Sequence, residues 1–534
     1  MPQEDDPSVK VLLINPYYPI SETPSPPLGL AYLAGALEEA GVEVKVLDFV
    51  VYPYSRRTLE EVLTDFGPDL LGVTSVTMTF DNAIKIINDA KTIAPDVLTV
   101  MGGPHATFRA EKTLQEFPHL DMVVKGEGEP SMVELVKQVS RRRRWEKVPS
   151  LVYRDGDSLQ STPIGDYKDV DQLPMPSRHL LPLGRYKALG MPITMTTSRG
   201  CPFKCIFCVG RKMGGSRVRL RSPGKVVDEF ESLARLGFTQ INIADDLFTA
   251  NKDHCLTTCN EIQKRGLSFP WSAFARVDTI APALLNVMKG AGCRTISFGV
   301  ESADPEILRT IRKGITPDQV VAAVEMCMDA GISPHASFIL GLPGETASTI
   351  KRTIEFAEGL KQMGASYGFH LLGPFPGTEV RERARELGIR ILTDDWSQYH
   401  ANRAIVETTG ATKEMMDSVV EHWEKKFLDW LGYIEKNMES GTASNAEVWQ
   451  YKKLRYCSII YELMMNSALE ENGIVPGANA KVEGLQRLAG QLSRQIRYGR
   501  DEIAEALDFA AGQGTLICTE KNGALKWQWN DELP

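Results

Sequence analysis

Three cysteines, Cys201, Cys205 and Cys208, lie within eight residues of the stretch "TSRGCPFKCIFC", in a chain that has nine cysteines among 534 residues. In a reducing compartment, thiols placed this close together indicate metal binding or catalysis rather than disulfides. Three thiolates suit a cubane of four irons and four sulfides in which one iron has no protein ligand. A structural zinc site would need a fourth ligand to close it.

Two further cysteines, Cys255 and Cys259, are the nearest candidates for a fourth ligand. Their i, i+4 spacing on a predicted helix is more typical of buried, small apolar side chains, and the same interpretation applies to Cys293, Cys327, Cys457 and Cys518. The sequence therefore favours a cluster with an open iron, where a substrate or cofactor can coordinate.

Six β/α units are predicted between residues 191 and 380, and the first cysteine follows the first strand. Consecutive right-handed β/α units curl into a partial (β/α)6 barrel of the TIM type, with chemistry at the carboxyl ends of the strands. The predicted strands are "PITMTTSR", "FTQINIADD", "WSAFARVD", "TISFGVES", "PHASFILGLP" and "YGFHLLGPFP". Polar residues stand at or near the ends of the later strands, namely Asp245, Asp246, Arg276 and Glu301.

The first 140 residues alternate apolar strand-like runs with amphipathic helical stretches, which predicts an α/β domain with a five-stranded, doubly wound parallel sheet. Ligands bind such sheets at the carboxyl ends of the strands. The candidates there are Thr74, Ser75, Thr77, Gly102, Gly103, His105, Gly126, Glu127 and Gly128. Alternatively, the glycines only turn strands into helices, and His105 is a loop histidine bonded to a backbone carbonyl. No G-x-G-x-x-G follows the first strand and no Walker A lysine is present, so a dinucleotide or ATP site has little support.

Two other regions complete the expected domain organisation. Residues 141–190 are predicted to be a linker with a hairpin around Asp155-Gly156, and residues 381–534 a helical C-terminal domain. The Trp, Tyr and Met stripes of that domain are typical of packing, although they could also close a lid over an apolar substrate.

Composition limits the functional classes. A length of 534 residues predicts two to four domains, while a net charge of −9 and a pI of about 5.6 argue against a general nucleic-acid or anionic-membrane binder. The opening "MPQEDDPSVK" is acidic and polar, unlike an export signal, and no apolar run approaches the ~20 residues of a transmembrane segment. We expect a cytoplasmic protein.

The cysteine motif with its aromatic residue, Phe207, resembles the signature of the radical S-adenosylmethionine (SAM) enzymes. That resemblance implies a [4Fe-4S] cluster on the three cysteines, whose open iron binds the amino and carboxylate groups of SAM. It also implies roles for the neighbouring residues. Phe207 lies beside adenine, Asp245 and Asp246 accept hydrogen bonds from the methionine amino group, Arg276 pairs with the carboxylate, and Glu301 binds the ribose hydroxyls. The stretch "GLPGET" at residues 341–346 is similar to the glycine-rich turn that approaches adenine.

The N-terminal elements "PSPPLGLAYLAGAL", "GGPH" and "GEGEPS", joined to this barrel, resemble the cobalamin-binding class of radical SAM enzymes. Cobalamin is therefore an expected cofactor, held by the candidates at the strand ends. The chain departs from the wider cobalamin pattern because it has no Asp-x-His-x-x-Gly, so no histidine from that motif would reach the lower face of the corrin.

The resemblance implies methylation of an unactivated carbon of a small-molecule or lipid- or tetrapyrrole-type substrate, through a 5′-deoxyadenosyl radical and methylcobalamin. The alternatives are a radical SAM oxidative cyclase or other non-methylating rearrangement, and a non-catalytic cobalamin or Fe–S sensor. Flavodoxin or ferredoxin would supply electrons.

His335, Tyr367 and His370 are candidate substrate-lining residues if their strands face them inward, and otherwise they are core groups.

Overall fold

A computed structural model describes residues 9–17, 24–139, 144–478, 480–521 and 523–533. Within these ranges no helix combines the length and the apolar character that crossing a bilayer requires.

The N-terminal sheet confirms the five predicted parallel strands, which run in the order β2-β1-β3-β4-β5. The strands are β1 (Lys10–Asn15), β2 (Glu43–Asp48), β3 (Leu70–Thr74), β4 (Leu98–Gly102) and β5 (Met122–Val124). The helices are α1 (Leu28–Glu39), α2 (Arg56–Phe66), α3 (Phe80–Ile93), α4 (Pro104–Glu116) and α5 (Glu129–Val139). Leu12 and Leu13 of β1 are both buried, each in a different apolar core, because helices cover both faces of the sheet.

The predicted hairpin is present as β6 (Leu151–Asp155) and β7 (Ser158–Ser161), but it belongs to the N-terminal sheet. Strand β6 pairs antiparallel with β5, with Val152 opposite Val123. Leu151 and Val152 are fully buried, so the apolar half of the hairpin covers an edge that β5 would otherwise expose.

The second sheet confirms the partial (β/α)6 barrel, since its six strands are all parallel and follow one another in chain order. They are β8 (Ile193–Met195), β11 (Ile241–Ile243), β12 (Trp271–Ala275), β13 (Cys293–Glu301), β14 (Ser333–Leu340) and β15 (Ser366–Leu371). A short antiparallel pair, β9 (Ser198–Arg199) and β10 (Arg219–Leu220), flanks the cysteines. The helices of this region are α6 (Leu183–Ala188), α7 (Gly210–Gly214), α8 (Pro223–Arg235), α9 (Lys252–Lys264), α10 (Pro282–Gly290), α11 (Pro305–Thr310), α12 (Pro317–Asp329), α13 (Ala347–Gln362) and α14 (Glu379–Glu382).

The C-terminal region is helical, as predicted, but it also contains two small antiparallel sheets. Its helices are α15 (Lys413–Glu439), α16 (Asn445–Met465), α17 (Ala468–Asn472), α18 (Lys481–Leu492) and α19 (Arg500–Gly512). The unpredicted strands are β16 (Ile389–Ile391), β17 (Val406–Thr408), β18 (Ile474–Pro476), β19 (Leu516–Lys521) and β20 (Ala524–Trp529). The sequence "LICTEKNGALKWQW" carries the Asn-Gly turn and alternating pattern of a hairpin, a signal that sequence analysis overlooked.

Helix α6 joins the N-terminal sheet to the C-terminal region. The Arg185 guanidinium lies 3.9 Å from the centroid of the Tyr52 ring, and its Nε donates to Asp531 at 2.7 Å. The Tyr52 hydroxyl donates to the other oxygen of Asp531 at 2.6 Å, so three distant parts of the chain meet at one buried arginine.

Candidate functional site

The cysteine loop, residues 200–217, runs between β9 and β10 at the carboxyl end of β8. Gly200 has a φ of 100°, and a side chain there would overlap the carbonyl oxygen of Arg217, so the loop begins with a backbone contact only glycine permits. The amide of Ile206 donates to the carbonyl of Ile311 at 3.2 Å, and the Cys205 thiol lies 3.8 Å from the carbonyl oxygen of Arg312. The loop is therefore fixed on two sides.

None of the three loop cysteines forms a disulfide. Burial raises the pKa of each of them, and the cations of Arg276 and Lys313 partly oppose this rise at Cys201 and Cys205. A metal that binds the sulfurs would supply the missing stabilisation of the thiolates. Among the described residues, no three His, Cys, Asp or Glu side chains surround one point as the ligands of a single ion do. A cubane differs from such a site because each thiolate binds a different iron.

The two adjacent aspartates behave differently. Asp245 is buried and accepts hydrogen bonds from the amide and hydroxyl of Thr197, at 2.6 and 2.5 Å, and from those of Ser198, at 3.2 and 2.7 Å. These four bonds engage both oxygens of its carboxylate and fix the chain that enters the cysteine loop. A methionine amino group would compete with them, and its predicted contact with Asp245 stays a prediction. Asp246 points the other way and lines a small cavity with Ser198, Gly200 and Gly210.

Arg276 follows β12 and is buried beside the cysteine loop. Its guanidinium lies 3.7 Å from the centroid of the Phe203 ring, and its Nε and one Nη donate to the two oxygens of Asp278, both at 2.9 Å. Only the remaining Nη forms no hydrogen bond with Asp278. A carboxylate that enters the site would therefore share the Arg276 guanidinium with Asp278. Phe203 and Asp278 were not singled out in the sequence, although Phe203 stands inside the cysteine motif.

Glu301 ends β13 and is buried with Lys313, whose Nζ donates to Glu301 Oε1 at 2.7 Å. Lys313 also lies 5.9 Å from the centroid of the Phe207 ring in the cysteine loop. Phe207, Glu301, Arg276 and the three cysteines are thus gathered at one end of the barrel, as predicted. Sequence analysis missed Lys313, whose only signal was its position directly before Gly314, in the turn after a short helix.

The glycine-rich turn at residues 341–346 follows β14, as predicted. Glu345 Oε2 accepts from the amides of Gly341 at 2.6 Å and Leu342 at 3.1 Å, which holds the turn closed. Burial raises the pKa of the Glu345 carboxyl to about 8 despite these two bonds.

A cavity of about 410 Å³ opens at the carboxyl ends of β1, β3, β4 and β5. Of the predicted residues it is lined by Thr74, Gly102, Gly103, Gly126, Glu127 and Gly128. Its remaining wall is mainly apolar, with Leu13, Leu30, Val100, Val124 and Met132. Thr196, Arg199 and Ala244 of the barrel close its far side, so the cavity lies between the two sheets.

Ser75, Thr77 and His105 do not line this cavity, and their predicted role in ligand binding stays a prediction. The His105 ring is buried, stacks on Phe80 with 4.2 Å between centroids, and meets the edge of Trp396 at 4.9 Å. Burial, reinforced by Arg109 and Arg381, lowers the pKa of His105 to about 3. The histidine is turned inward because helix α4 begins at Pro104, directly after the strand-end glycines.

Two arginines of the barrel pair with glutamates of the N-terminal domain beside the cavity. Arg199 donates to Glu129 at 2.7 Å and lies 3.6 Å from Glu127, while Arg219 pairs with both oxygens of Glu127. The Glu127 carboxylate in the cavity wall is therefore already paired with the cations of Arg199 and Arg219.

The barrel lumen is lined by the alternate residues of each strand that face away from the helices. On β14 the buried residues Pro334, Ala336 and Phe338 face outward, which turns the half-buried His335 inward. His335 Nδ1 lies 2.9 Å from the Ser366 hydroxyl, and Gly368 and His370 share the face of Ser366. Tyr367 is on the opposite face, where its hydroxyl donates to Glu358 of α13 at 2.6 Å, so its predicted place in the lumen is wrong.

Comparisons with known proteins identify the two domains. The radical SAM superfamily model matches residues 195–357, and the B12 binding domain model matches residues 21–136. An uncharacterized methyltransferase of Pyrococcus horikoshii is 37% identical over 402 residues, which cover 74% of this chain and 86% of that protein. The anaerobic magnesium-protoporphyrin IX monomethyl ester cyclase of Rubrivivax gelatinosus is 30% identical over 440 residues, covering 79% of this chain and 78% of the cyclase.

Among solved structures, the cobalamin-dependent S-adenosylmethionine radical enzyme OxsB has the same fold, with a TM-score of 0.67 and 17% identity over 95% of this chain and 79% of OxsB. The two domain models, the identity to relatives covered over most of their length and the shared fold lead to one conclusion. The chain belongs to the cobalamin-binding family of radical S-adenosylmethionine enzymes.

Proposed function

We propose that this protein is a cobalamin-dependent radical SAM methyltransferase that methylates an unactivated carbon of a small-molecule or lipid- or tetrapyrrole-type substrate. The observation that carries the proposal is the position of the apolar cavity relative to the cysteine loop. Thr196, Arg199 and Ala244 line both this cavity and the small cavity of Asp246, so the two proposed cofactor sites are adjacent and share one wall.

The cysteine loop fits a cluster. Cys201, Cys205 and Cys208 would hold three irons, and Phe207, Asp246, Arg276 and Glu301 would hold SAM around the fourth. In our proposal Asp246 accepts from the methionine amino group, because Asp245 is already occupied. The free Nη of Arg276 binds the carboxylate, as a charge-assisted hydrogen bond.

The apolar cavity fits the aromatic tail of a cobalamin. Its wall is made of aliphatic side chains and of the backbone at Gly102, Gly103, Gly126 and Gly128, which lets a flat ring approach closely. The lower face of the corrin would receive no histidine from His105, which is buried against Phe80 and Trp396. When bound, the cluster and SAM supply a carbon radical and the cobalamin supplies a methyl group. The protein's residues position these groups and exclude water.

We propose the lumen of the barrel as the substrate site. Its lining beside β13, β14 and β15 is small and polar, with Ser297, Ser337 and Gly368 side by side with His335. A packed TIM barrel fills these positions with bulky aliphatic residues. Here the named residues are small and polar, and we propose that a substrate bonds to the Nε2 of His335 among them.

Similarity to the Pyrococcus methyltransferase favours methylation, whereas similarity to the Rubrivivax cyclase supports oxidative cyclisation as a second candidate. The greater identity to the methyltransferase decides our order of preference.

The proposed electron donor is an acidic one-electron carrier such as flavodoxin or ferredoxin. Between residues 200 and 217 the chain has no Asp or Glu but carries Lys204, Arg211, Lys212 and Arg217, in a protein of net charge −9. Lys204 and Arg217 are exposed and form no ion pair with the described residues. A basic surface beside the cluster complements an acidic partner and speeds its approach.

Methyl-labelled SAM tests the reaction class. We would reconstitute the protein anaerobically with iron, sulfide and cobalamin, and supply candidate substrates with a reductant. Label in the product together with 5′-deoxyadenosine supports methyl transfer. A product of unchanged carbon count, formed with 5′-deoxyadenosine but without label, would instead establish the cyclase. Absence of 5′-deoxyadenosine under every reducing condition would contradict both.

A further inference from the structure

Two local irregularities of the backbone and one close contact at a glycine meet at the buried pair of Glu301 and Lys313. Strand β13 shifts register against β14 between Gly299 and Glu301, and Glu301 has a φ of 70°. A side chain at Gly299 would overlap Glu301 Oε1 and lie 2.9 Å from Lys313 Nζ. A left-handed φ is unfavourable for a residue other than glycine, and bulges commonly redirect side chains near active sites.

The pair is removed from water, since the side chains of Glu301 and Lys313 are 8% and 9% exposed. Desolvation of two charges offsets most of their attraction, so such a pair adds little to stability compared with apolar residues of similar size. The strained backbone and the buried charges together indicate a function other than stabilisation of the fold.

Lys313 also contacts the cysteine loop, because residues 311–313 run along it. The carbonyl of Ile311 accepts from the amide of Ile206, the carbonyl of Arg312 faces the Cys205 thiol, and the Lys313 ammonium faces the Phe207 ring at 5.9 Å. The ammonium thus stands between the cluster loop and Glu301. Glu301 Oε1 is engaged by Lys313, whereas Oε2 has no hydrogen-bond partner among the residues that the structure describes.

We propose that Lys313 is a positioning residue of the SAM site, which holds Oε1 of Glu301 so that Oε2 accepts hydrogen bonds from the ribose hydroxyls. Gly299 provides the space for this pair. The inference rests on the assignment of Glu301 to the ribose, made above, and is independent of whether the enzyme methylates or cyclises.

The test compares SAM with its 2′-deoxy analogue by equilibrium dialysis on the cluster-reconstituted protein. In the unaltered protein, loss of the 2′-hydroxyl should weaken binding about tenfold, as expected for a hydrogen bond to a charged group. The Lys313→Met variant should bind SAM about 10- to 100-fold more weakly and should discriminate less than about twofold between the two ligands. Lys313→Arg should restore part of the discrimination, and Gly299→Ala, which crowds the pair without removing a charge, should reduce it.

Lys289→Met is the matched control, because Lys289 bonds to the carbonyl of Gly331 at the far end of the barrel and should leave both affinities unchanged. Iron content and the thermal transition show whether each variant is folded, and the EPR spectrum of the reduced cluster with and without SAM reports binding independently of turnover.

The outcomes separate the inference from the assignment on which it rests. If Glu301→Met, which has no carboxylate or amide oxygen, keeps full discrimination against the 2′-deoxy analogue, Glu301 does not bind that hydroxyl and the assignment fails. If Glu301→Met loses discrimination while Lys313→Met and Gly299→Ala keep it, the positioning role of Lys313 alone is overturned. Should Lys313→Met not fold, the result for Gly299→Ala decides between these outcomes.

Discussion

Arg199 of the barrel donates a 2.7 Å hydrogen bond to Glu129 at the start of α5, so a partly buried ion pair joins the two parallel sheets beside the apolar cavity. The same guanidinium lies 4.8 Å from the centroid of the Tyr32 ring in α1. The arginine therefore contacts two helices of the N-terminal domain and fixes the wall of the proposed cobalamin site.

Replacing Glu129 by Gln should lower cobalamin affinity by about tenfold, because the charge-assisted bond to Arg199 is lost and the cavity wall loosens. Titration of cobalamin followed by its visible spectrum measures the affinity, and iron content should stay unchanged. Glu61→Gln removes an exposed pair with Arg57 and serves as control. Equal affinities in the Glu129 variant and the control would contradict the prediction.

Replacement by Asn should affect protein stability at Asp245 and SAM binding at Asp246. Asp245→Asn leaves the donors of Thr197 and Ser198 facing an amide, and should destabilise the protein by about 2–4 kcal/mol. Asp246→Asn should change the unfolding free energy by less than about 0.5 kcal/mol but weaken SAM binding about tenfold. Urea unfolding and equilibrium dialysis check the two effects. A stable Asp245→Asn protein with weakened SAM binding would reverse our assignment.

Reversing two charges of the cysteine loop should separate the biological reductant from a chemical one. In Lys204→Glu with Arg217→Glu, flavodoxin-driven formation of 5′-deoxyadenosine should fall about tenfold at low salt, since electrostatic attraction speeds the encounter. Dithionite is small and does not need this surface, so dithionite-driven formation should be unchanged.

The control for the charge reversal is Arg294→Glu with Lys361→Glu, which makes the same charge change at exposed residues near the amino end of β13 and the carboxyl end of α13. Equal loss in both double variants would mean that only the net charge matters, and loss with dithionite would mean that the cluster itself was damaged.

His105 should make the folded state sensitive to acid. Its pKa of about 3 in the folded protein lies below its ordinary value of 6.5, so the unfolded chain binds a proton that the folded chain does not. This contribution is fully present above pH 6.5 and is lost as the pH falls from 6.5 toward 3, by about 1.4 kcal/mol per pH unit.

Urea unfolding at several pH values would measure this slope. His105→Gln should flatten it between pH 6.5 and 4.5, whereas His119→Gln, which changes an exposed histidine, should not. Identical slopes in all three proteins would show that His105 is not the group responsible.

The sequence predicted the strands of both parallel sheets because each is a short buried run between turn residues, and it predicted the cluster loop because three thiols stand in one segment. It could not distinguish Asp245 from Asp246, since adjacent residues of an extended chain point in opposite directions and only the structure shows which one meets Thr197. The place of His105 depended on where α4 begins. The ion pair of Glu301 and Lys313 lies at a register shift between β13 and β14 that no local sequence pattern reveals.

The buried junction of Arg185, Tyr52 and Asp531 has a consequence for biosynthesis. Two acidic partners of Arg185, Glu470 and Asp531, lie 285 and 346 residues beyond it, so a nascent chain can fold its N-terminal sheet and much of its barrel before they leave the ribosome. Until then a guanidinium that ends up almost entirely enclosed must stay hydrated. Burial of Arg185 can therefore be completed only after translation has passed the barrel and reached the C-terminal region.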